Sequence, residues 1–123
     1  MIDHINVGVA DLAASRAFYE RALAPLGITV VMQHQAGIGF GRGGRPQFWI
    51  SDRHRSGPLH IAFEAPDRAT VDRFYAEAVA AGGHANGPPG VRAHYHPGYY
   101  GAFVLDPDGN NIESVTHQPP PGA

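Results

Sequence analysis

The stretch that decides the fold is His4–Gly27, HINVGVADLAASRAFYERALAPLG, because it recurs at His60–Gly83 as HIAFEAPDRATVDRFYAEAVAAGG. Nine of the 24 aligned positions are identical, among them the first histidine of each copy and the pair Asp11 and Asp67. Self-similarity over this distance indicates a duplicated structural unit. Neither half is long enough to bury a stable core alone, so the two copies are expected to share one.

Each copy predicts a strand, a helix and three further strands. Ile2–Val9 and Leu59–Ala65 have the short apolar or alternating pattern of strands. Asp11 and Asp67 then stand at helix N-cap positions, and apolar residues at helical spacing follow, up to closing glycines. The strands predicted after the helices are Ile28–His34, Ile38–Gly41 and Gln47–Ser51, then Val91–Tyr95, Tyr99–Leu105 and Asn111–Thr116.

The resulting prediction is an α+β chain of two βαβββ modules. Residues 1–56 and 57–117 form the modules of a single domain, and residues 118–123 form a flexible tail. The passage Asn86–Gly90, NGPPG, is interpreted as an irregular connection because of its prolines and glycines.

Composition excludes several classes of function. The chain has 123 residues and no cysteine, which rules out disulfides, a cysteine nucleophile and thiolate metal ligands. A formal net charge of −2 argues against binding to nucleic acid, and no apolar run is long enough to span a membrane. A cytoplasmic protein is therefore expected. Eight histidines make a metal or proton-transfer site worth seeking.

Three motifs carry a resemblance to a known family: IDHINVGVADL with FYERALAPLG, HIAFEAPD with VDRFYAEAVAAGG, and GYYGAFVLDPDGNNIE. Together they resemble the vicinal oxygen chelate superfamily over about residues 1–117. That superfamily includes glyoxalase I, bleomycin-resistance proteins, extradiol dioxygenases and fosfomycin-resistance thiol transferases. The resemblance implies paired modules that curve into a mixed sheet around a metal-containing cavity, commonly assembled from two chains. It also implies a homodimer that acts on a small molecule.

His4, His60 and Glu113 are the candidate metal ligands. The repeat places the two histidines at equivalent points of equivalent strands, and Glu113 lies in a predicted apolar strand where its charge needs a partner. Two imidazoles and a carboxylate suit a divalent ion such as Fe, Zn, Mn, Ni or Co. The alternative is that each histidine is simply a hydrogen-bonded strand residue. The resemblance assigns the same three positions as ligands.

Trp49 marks a departure from glyoxalase-type members, which have a fourth protein ligand on the last strand of the first module. Repeat symmetry places Trp49 near that position, and an indole cannot bind a metal. A three-ligand site, as in extradiol dioxygenases and fosfomycin-type transferases, therefore fits better. Trp49 and Phe48 are expected to wall a substrate pocket.

A second candidate segment is Arg92–Tyr100, RAHYHPGYY, with one guanidinium, two imidazoles and three phenols. Arg92 is a candidate for holding a substrate carboxylate, and His94 and Tyr99 for other substrate contacts. Tyr100 and Glu113 are the candidate catalytic residues, and His94, His96 or Tyr100 is the candidate for relaying a proton. The alternative is a loop whose aromatic residues pack on the sheet edge.

Two functions from different classes follow. The first is a metal-dependent enzyme, either a lyase or isomerase, a dioxygenase or a thiol transferase, that binds adjacent substrate oxygens on the ion. The second is a metal-free protein of the bleomycin-resistance type that sequesters an apolar or aromatic small molecule.

Overall fold

A computed structural model describes residues 1–35 and 37–122 and shows an α+β fold. The first module contains β1 (Ile5–Gly8), α1 (Leu12–Leu23), a 3-10 turn (Ala24–Leu26), β2 (Thr29–His34), β3 (Gly37–Gly41) and β4 (Phe48–Ser51). The second contains β5 (His60–Glu64), α2 (Arg68–Ala80), β6 (His84–Val91), β7 (Tyr100–Leu105) and β8 (Asn111–Thr116). The predicted βαβββ order of each module is confirmed.

The duplication extends to strand pairing. Each module has one four-stranded mixed sheet, with strand order β1-β4-β3-β2 in the first and β5-β8-β7-β6 in the second. The first and last strands of each module run parallel, with Asn6 opposite Trp49 and Ala62 opposite Glu113. Because Asn6 and Ala62 are equivalent in the repeat, Trp49 and Glu113 occupy equivalent positions, as the sequence predicts.

Both helices begin where the sequence predicts. The Asp11 Oδ1 atom accepts a hydrogen bond from the Ala14 amide at 3.0 Å, and Asp67 Oδ1 accepts one from the Thr70 amide at 2.8 Å. These carboxylates satisfy amides that have no partner within the helix. The first module's helical segment ends at Gly27, whose φ of 73° is a left-handed conformation that favours glycine.

The core lies between the helices and one face of each sheet. Val7, Ile50 and Ile112 are fully buried there, and α1 and α2 contact each other. The Phe48 ring links the modules, at 4.9 Å from Tyr19 and 5.2 Å from Phe63 between ring centroids. Since side chains alternate along a strand, the other face of each sheet is left to the candidate functional residues.

A buried polar cluster joins the second module to α1. The Tyr19 hydroxyl donates to Asp106 Oδ2 at 2.5 Å, and the Asp106 carboxylate also accepts from the amides of Asp108 and Asn110 and from the Asn110 side chain. Asp108 in turn accepts from the Ala10 amide at 2.9 Å. Burial, together with the Asp106 charge, raises the pKa of Tyr19 far above its usual range. The turn after β7 therefore holds the modules together.

One strand prediction is wrong. The structure places β6 at His84–Val91, which includes the proline-rich passage that was interpreted as a connection. The predicted strand Val91–Tyr95 is instead largely a turn, in which the Tyr95 amide donates a hydrogen bond to the Arg92 carbonyl. The strand tolerates its prolines because it lies at the sheet edge and pairs only with β7. The ladder skips from Gly87 to Gly90, so neither proline has to donate a ladder hydrogen bond.

Among the helices of the described residues, none is long and apolar enough to cross a membrane. Residues 118–122 are exposed and outside helices and strands, while the last residue of the predicted tail, Ala123, lies outside the described residues.

Candidate functional site

Glu113 is the centre of the candidate site. It lies in the middle of β8 on the face away from the helices, and its side chain is only 1% exposed. The Oε1 atom lies 2.8 Å from Nε2 of His60, whose side chain is 54% exposed. The parallel register of β5 and β8 creates this contact, because it places His60 opposite Asn111, two residues from Glu113 on the same face.

Tyr99 contacts the other oxygen of the same carboxylate. Its hydroxyl donates a hydrogen bond to Glu113 Oε2. The Tyr99 ring is held edge-on by Tyr95, His96 and His117, at centroid distances of 4.8, 5.5 and 5.4 Å. Burial and the bond to Glu113 raise the pKa of Tyr99, so its hydroxyl stays protonated at neutral pH. Tyr99, the predicted substrate contact, thus has its hydroxyl bound to Glu113 in the structure.

The polar partners of Glu113 in the described part of the chain are a histidine and a tyrosine. Within the described residues the carboxylate makes no ion pair with arginine, and its polar partners are His60 and Tyr99. A buried carboxylate normally needs a cation or several hydrogen bonds. An imidazole nitrogen and a carboxylate oxygen, side by side at 2.8 Å, form a donor pair that suits a first-row divalent ion.

His4, the third predicted ligand, lies elsewhere in the chain. Its Nδ1 atom is 2.8 Å from Asp3 Oδ2, and Arg45 contacts the same aspartate. These two partners hold the pKa of Asp3 below its usual range. In residues 1–35 and 37–122, no group of three or more His, Asp or Glu side chains is close enough to hold a metal ion. The structure thus brings together His60 and Glu113, but not His4.

The surroundings of His4 form a cavity of about 520 Å³ on the exposed face of the first sheet. Trp49 lies in its wall, in the register position equivalent to Glu113, with the His34 ring at 5.1 Å. The cavity is lined by Asp3, His4, Asn6, Met32, His34, Arg45, Pro46 and Trp49.

A second cavity, of about 310 Å³, lies beside the Glu113 site and contains Arg92. The guanidinium lies over the Phe103 ring at 5.4 Å and donates to the Pro88 carbonyl at 2.7 Å. Within the described residues Arg92 makes no ion pair, so its charge is available to an anionic group. The Phe103 ring is also close to the His60 ring, at 6.0 Å between their centroids. His94 is exposed and packs on the Tyr95 ring at 4.2 Å.

Tyr100 and Phe48 lie away from these cavity residues. The Tyr100 hydroxyl donates to Asp72 of α2 at 2.6 Å, and its ring carries the Arg68 guanidinium at 4.8 Å. Burial and the bond to Asp72 raise the pKa of Tyr100 to about 12. Phe48 is in the core, 3% exposed. Tyr100 is adjacent to Tyr99 and Phe48 is adjacent to Trp49 in the sequence. Because side chains alternate along a strand, Tyr100 and Phe48 point toward the helices instead.

Sequence reasoning missed several residues of the site. Asn111 and Asn86 form a hydrogen bond of 3.2 Å between their amides and line the Arg92 cavity. The position of Asn111, two residues before Glu113, was a signal that could have identified it. Asn86 was hidden by the incorrect strand assignment, whereas Tyr95 was included only as one of the phenols of the segment Arg92–Tyr100.

Comparisons with known proteins agree with this fold. The family model described as Glyoxalase/Bleomycin resistance protein/Dioxygenase superfamily matches residues 1–114. A glyoxalase/bleomycin resistance protein from Albidiferax ferrireducens T118 is 29% identical, with a TM-score of 0.80 over 91% of this chain and 95% of that one. No curated protein sequence matches the chain.

Two solved structures of lower identity share the fold. A lactoylglutathione lyase from Agrobacterium tumefaciens is 24% identical, with a TM-score of 0.70 over 94% of this chain and 92% of that one. An oxidase named ChaP-H2 is also 24% identical, with a TM-score of 0.66 over 98% and 95% of the two chains.

Proposed function

The chain belongs to the Glyoxalase/Bleomycin resistance protein/Dioxygenase superfamily, and on that premise we propose that it is a metal-dependent enzyme acting on a small molecule. The observation that carries the proposal is the pair formed by His60 Nε2 and Glu113 Oε1 at 2.8 Å. A carboxylate that is 1% exposed and has no arginine partner in the described residues is a costly feature unless a cation completes it.

The residues present fit a divalent ion if two copies of the chain combine. His60 and Glu113 supply two ligands from one copy, and His4 of a second copy would supply the third. Support for this arrangement is the exposure of His4, Asn6 and His60, which lie on the uncovered faces of the two sheets. The proposal therefore includes a homodimer in which the first module of one copy faces the second module of the other.

A bound divalent ion would supply Lewis acidity to adjacent oxygens of the substrate, and Fe, Mn, Zn, Ni and Co all suit imidazole and carboxylate ligands. The chain's own residues prepare the site. Tyr99 holds one oxygen of Glu113 and leaves the other directed at His60. Arg92 offers a guanidinium to a carboxylate of the substrate, in a cavity beside His60.

Metal content tests the proposal. Wild-type protein purified without chelators or a histidine tag is expected to hold about one transition-metal ion per chain, measured by elemental analysis. His60→Ala removes a donor and should abolish uptake. His84→Ala is the matched control, because His84 is exposed on the edge strand β6 and should keep the wild-type content. Retention of stoichiometric metal by His60→Ala would overturn the ligand assignment.

A metal-free binding protein is the second candidate function, and the indole at the position equivalent to Glu113 favours it. In that case neither wild type nor His60→Ala takes up metal, and both bind an aromatic ligand with the same affinity. Equilibrium dialysis of the two proteins with added Fe, Mn, Zn, Ni and Co separates the two functions.

A further inference from the structure

The two equivalent histidines of the repeat have different carboxylate partners. His60 receives its carboxylate from the last strand of its own module, where Glu113 Oε1 lies 2.8 Å from Nε2. In the first module the equivalent strand position is Trp49, so no carboxylate comes from there. Asp3, the residue before His4, takes this place instead, with Oδ2 at 2.8 Å from the Nδ1 atom of His4.

Both oxygens of Asp3 are in use. Arg45, in the connection between β3 and β4, donates to Oδ1, and His4 contacts Oδ2. An ionised carboxylate only accepts hydrogen bonds, so the Nδ1 atom of His4 carries the ring proton. In the neutral imidazole the Nε2 atom is then unprotonated, and it makes no hydrogen bond to the described residues. This is the form in which an imidazole binds a metal ion.

We infer that Asp3 is a positioning residue for His4, which keeps the ring proton on Nδ1 and so presents Nε2 as the nitrogen that binds the divalent ion. The inference rests on the proposed function, in which His4 is a ligand at a site shared between two copies. A carboxylate on the far nitrogen of a metal-bound imidazole fixes the ring orientation and strengthens the ligand. Packing alone does not fix this ring, because the His4 side chain is 57% exposed.

The repeat gives the inference a second support. Leu59 stands at the position of the second module that is equivalent to Asp3. His60 already has a carboxylate contact through Glu113, so the preceding residue is not needed for that purpose. Each histidine therefore has one carboxylate, although the two come from different places in the module.

The ring nitrogens of the metal-free chain give the first test. Long-range ¹H–¹⁵N correlation spectra at about pH 8, above the usual pKa of histidine, show which nitrogen carries the proton. The His4 signals are those lost in His4→Ala. Wild type should have the proton on Nδ1, whereas Asp3→Ala should distribute it between the two nitrogens. A His4 proton on Nε2 in wild type, or the same pattern in both proteins, would overturn the inference.

Metal affinity gives the second test, by competition titration with a metal indicator. Asp3→Ala should weaken binding about 10- to 100-fold, and Asp3→Asn, which keeps an acceptor oxygen without the charge, should lie between Asp3→Ala and wild type. Asp3 is exposed and precedes β1, so both variants should fold. Asp52→Ala is the matched control, because it removes the same charge from an exposed loop and should keep the wild-type affinity and His4 spectrum.

The two tests separate the inference from the proposed function. Equal metal affinities of wild type and Asp3→Ala would overturn the positioning role of Asp3 and leave the metal site in place. Absence of metal from wild type and every variant would overturn the proposed function, and the ligand role of His4 with it. The spectra of the metal-free chain would still report whether Asp3 holds the proton on Nδ1.

Discussion

The two modules have the same architecture but different chemistry on their exposed faces. Both contain an aspartate-capped helix and a sheet whose first and last strands are parallel. At the equivalent position of the last strand, the first module has Trp49, which lies opposite Gly39 of β3, whereas the second has Glu113 between His60 and Tyr99. The modules thus agree where side chains face the core and at the outward-facing His4 and His60, and they differ at the outward-facing position of the last strand.

Alternate residues of one strand can therefore serve stability on one face and function on the other. In β8, Ile112 is fully buried in the core while its neighbour Glu113 faces the site. In β4, Ile50 and Trp49 divide in the same way. A change from carboxylate to indole at the outward position leaves the core-facing residues undisturbed, so under the proposed function one copy of the duplicated unit can be the metal-binding half while the other is not.

The largest effect is expected from Glu113→Gln. The amide keeps the shape of the side chain but loses the charge, so metal affinity should fall more than about 100-fold. Stability should be unchanged or higher, because a buried charge is removed. Elemental analysis and urea unfolding measure the two quantities. Wild-type metal content in Glu113→Gln would mean that the second module is not the metal-binding half.

Tyr99→Phe should have the next largest effect, a loss of about 10- to 100-fold in metal affinity, because Glu113 loses the donor that fixes its orientation. Tyr95→Phe is the control, since the Tyr95 hydroxyl makes no hydrogen bond within the described residues while its ring packs on Tyr99. Competition titration with a metal indicator gives the affinities. Equal losses in the two variants would assign Tyr99 to packing alone.

Tyr19→Phe tests the polar cluster that joins the modules. Removing a hydroxyl that donates to a buried carboxylate should lower the free energy of unfolding by about 2 kcal/mol. Metal content of the folded variant should remain at the wild-type level, because Asp106 is a structural carboxylate with four hydrogen bonds. Urea unfolding followed by circular dichroism checks the stability. A loss of metal content without a loss of stability would contradict the assignment of Asp106 to structure and of Glu113 to the metal site.

The smallest effect concerns the second module's helix cap. Hydrogen bonds from Thr70 lower the pKa of Asp67 from its model-peptide value of 3.8. A carboxyl with a lowered pKa in the folded state stabilises above its unfolded pKa, and this contribution is lost as pH falls through the folded pKa. Asp67→Asn should therefore flatten the loss of stability below about pH 4. Unfolding midpoints measured across that range check this, and an unchanged acid profile would contradict it.

Much of this arrangement was predictable because it depends on local patterns and on the repeat. Asp11 and Asp67 cap their helices as N-cap chemistry requires, and the equivalence of Trp49 and Glu113 follows from the alignment of the modules. The prediction failed at β6, because an edge strand accepts prolines that local propensity assigns to a loop. Strand alternation also explains why Tyr100 lies on the helix side while Glu113 faces the site.

The sequence analysis grouped His60 with Glu113, but it could not show which other side chains contact Glu113 or how each contact forms. Glu113 meets His60 through the β5–β8 register and Tyr99 through a turn, and both are tertiary contacts. The separation of His4 from this pair likewise depends on how the two modules pack within one chain.

The metal site shared between two copies is tested most directly by mixing His4→Ala and His60→Ala chains, refolding them together from urea and measuring the metal content of the mixture. If the site combines His4 of one copy with His60 and Glu113 of another, each mixed dimer has one complete site. Random mixing should then restore about one quarter of the wild-type metal content, although each variant alone holds none. A mixture that takes up no more metal than its separate components would contradict the shared site.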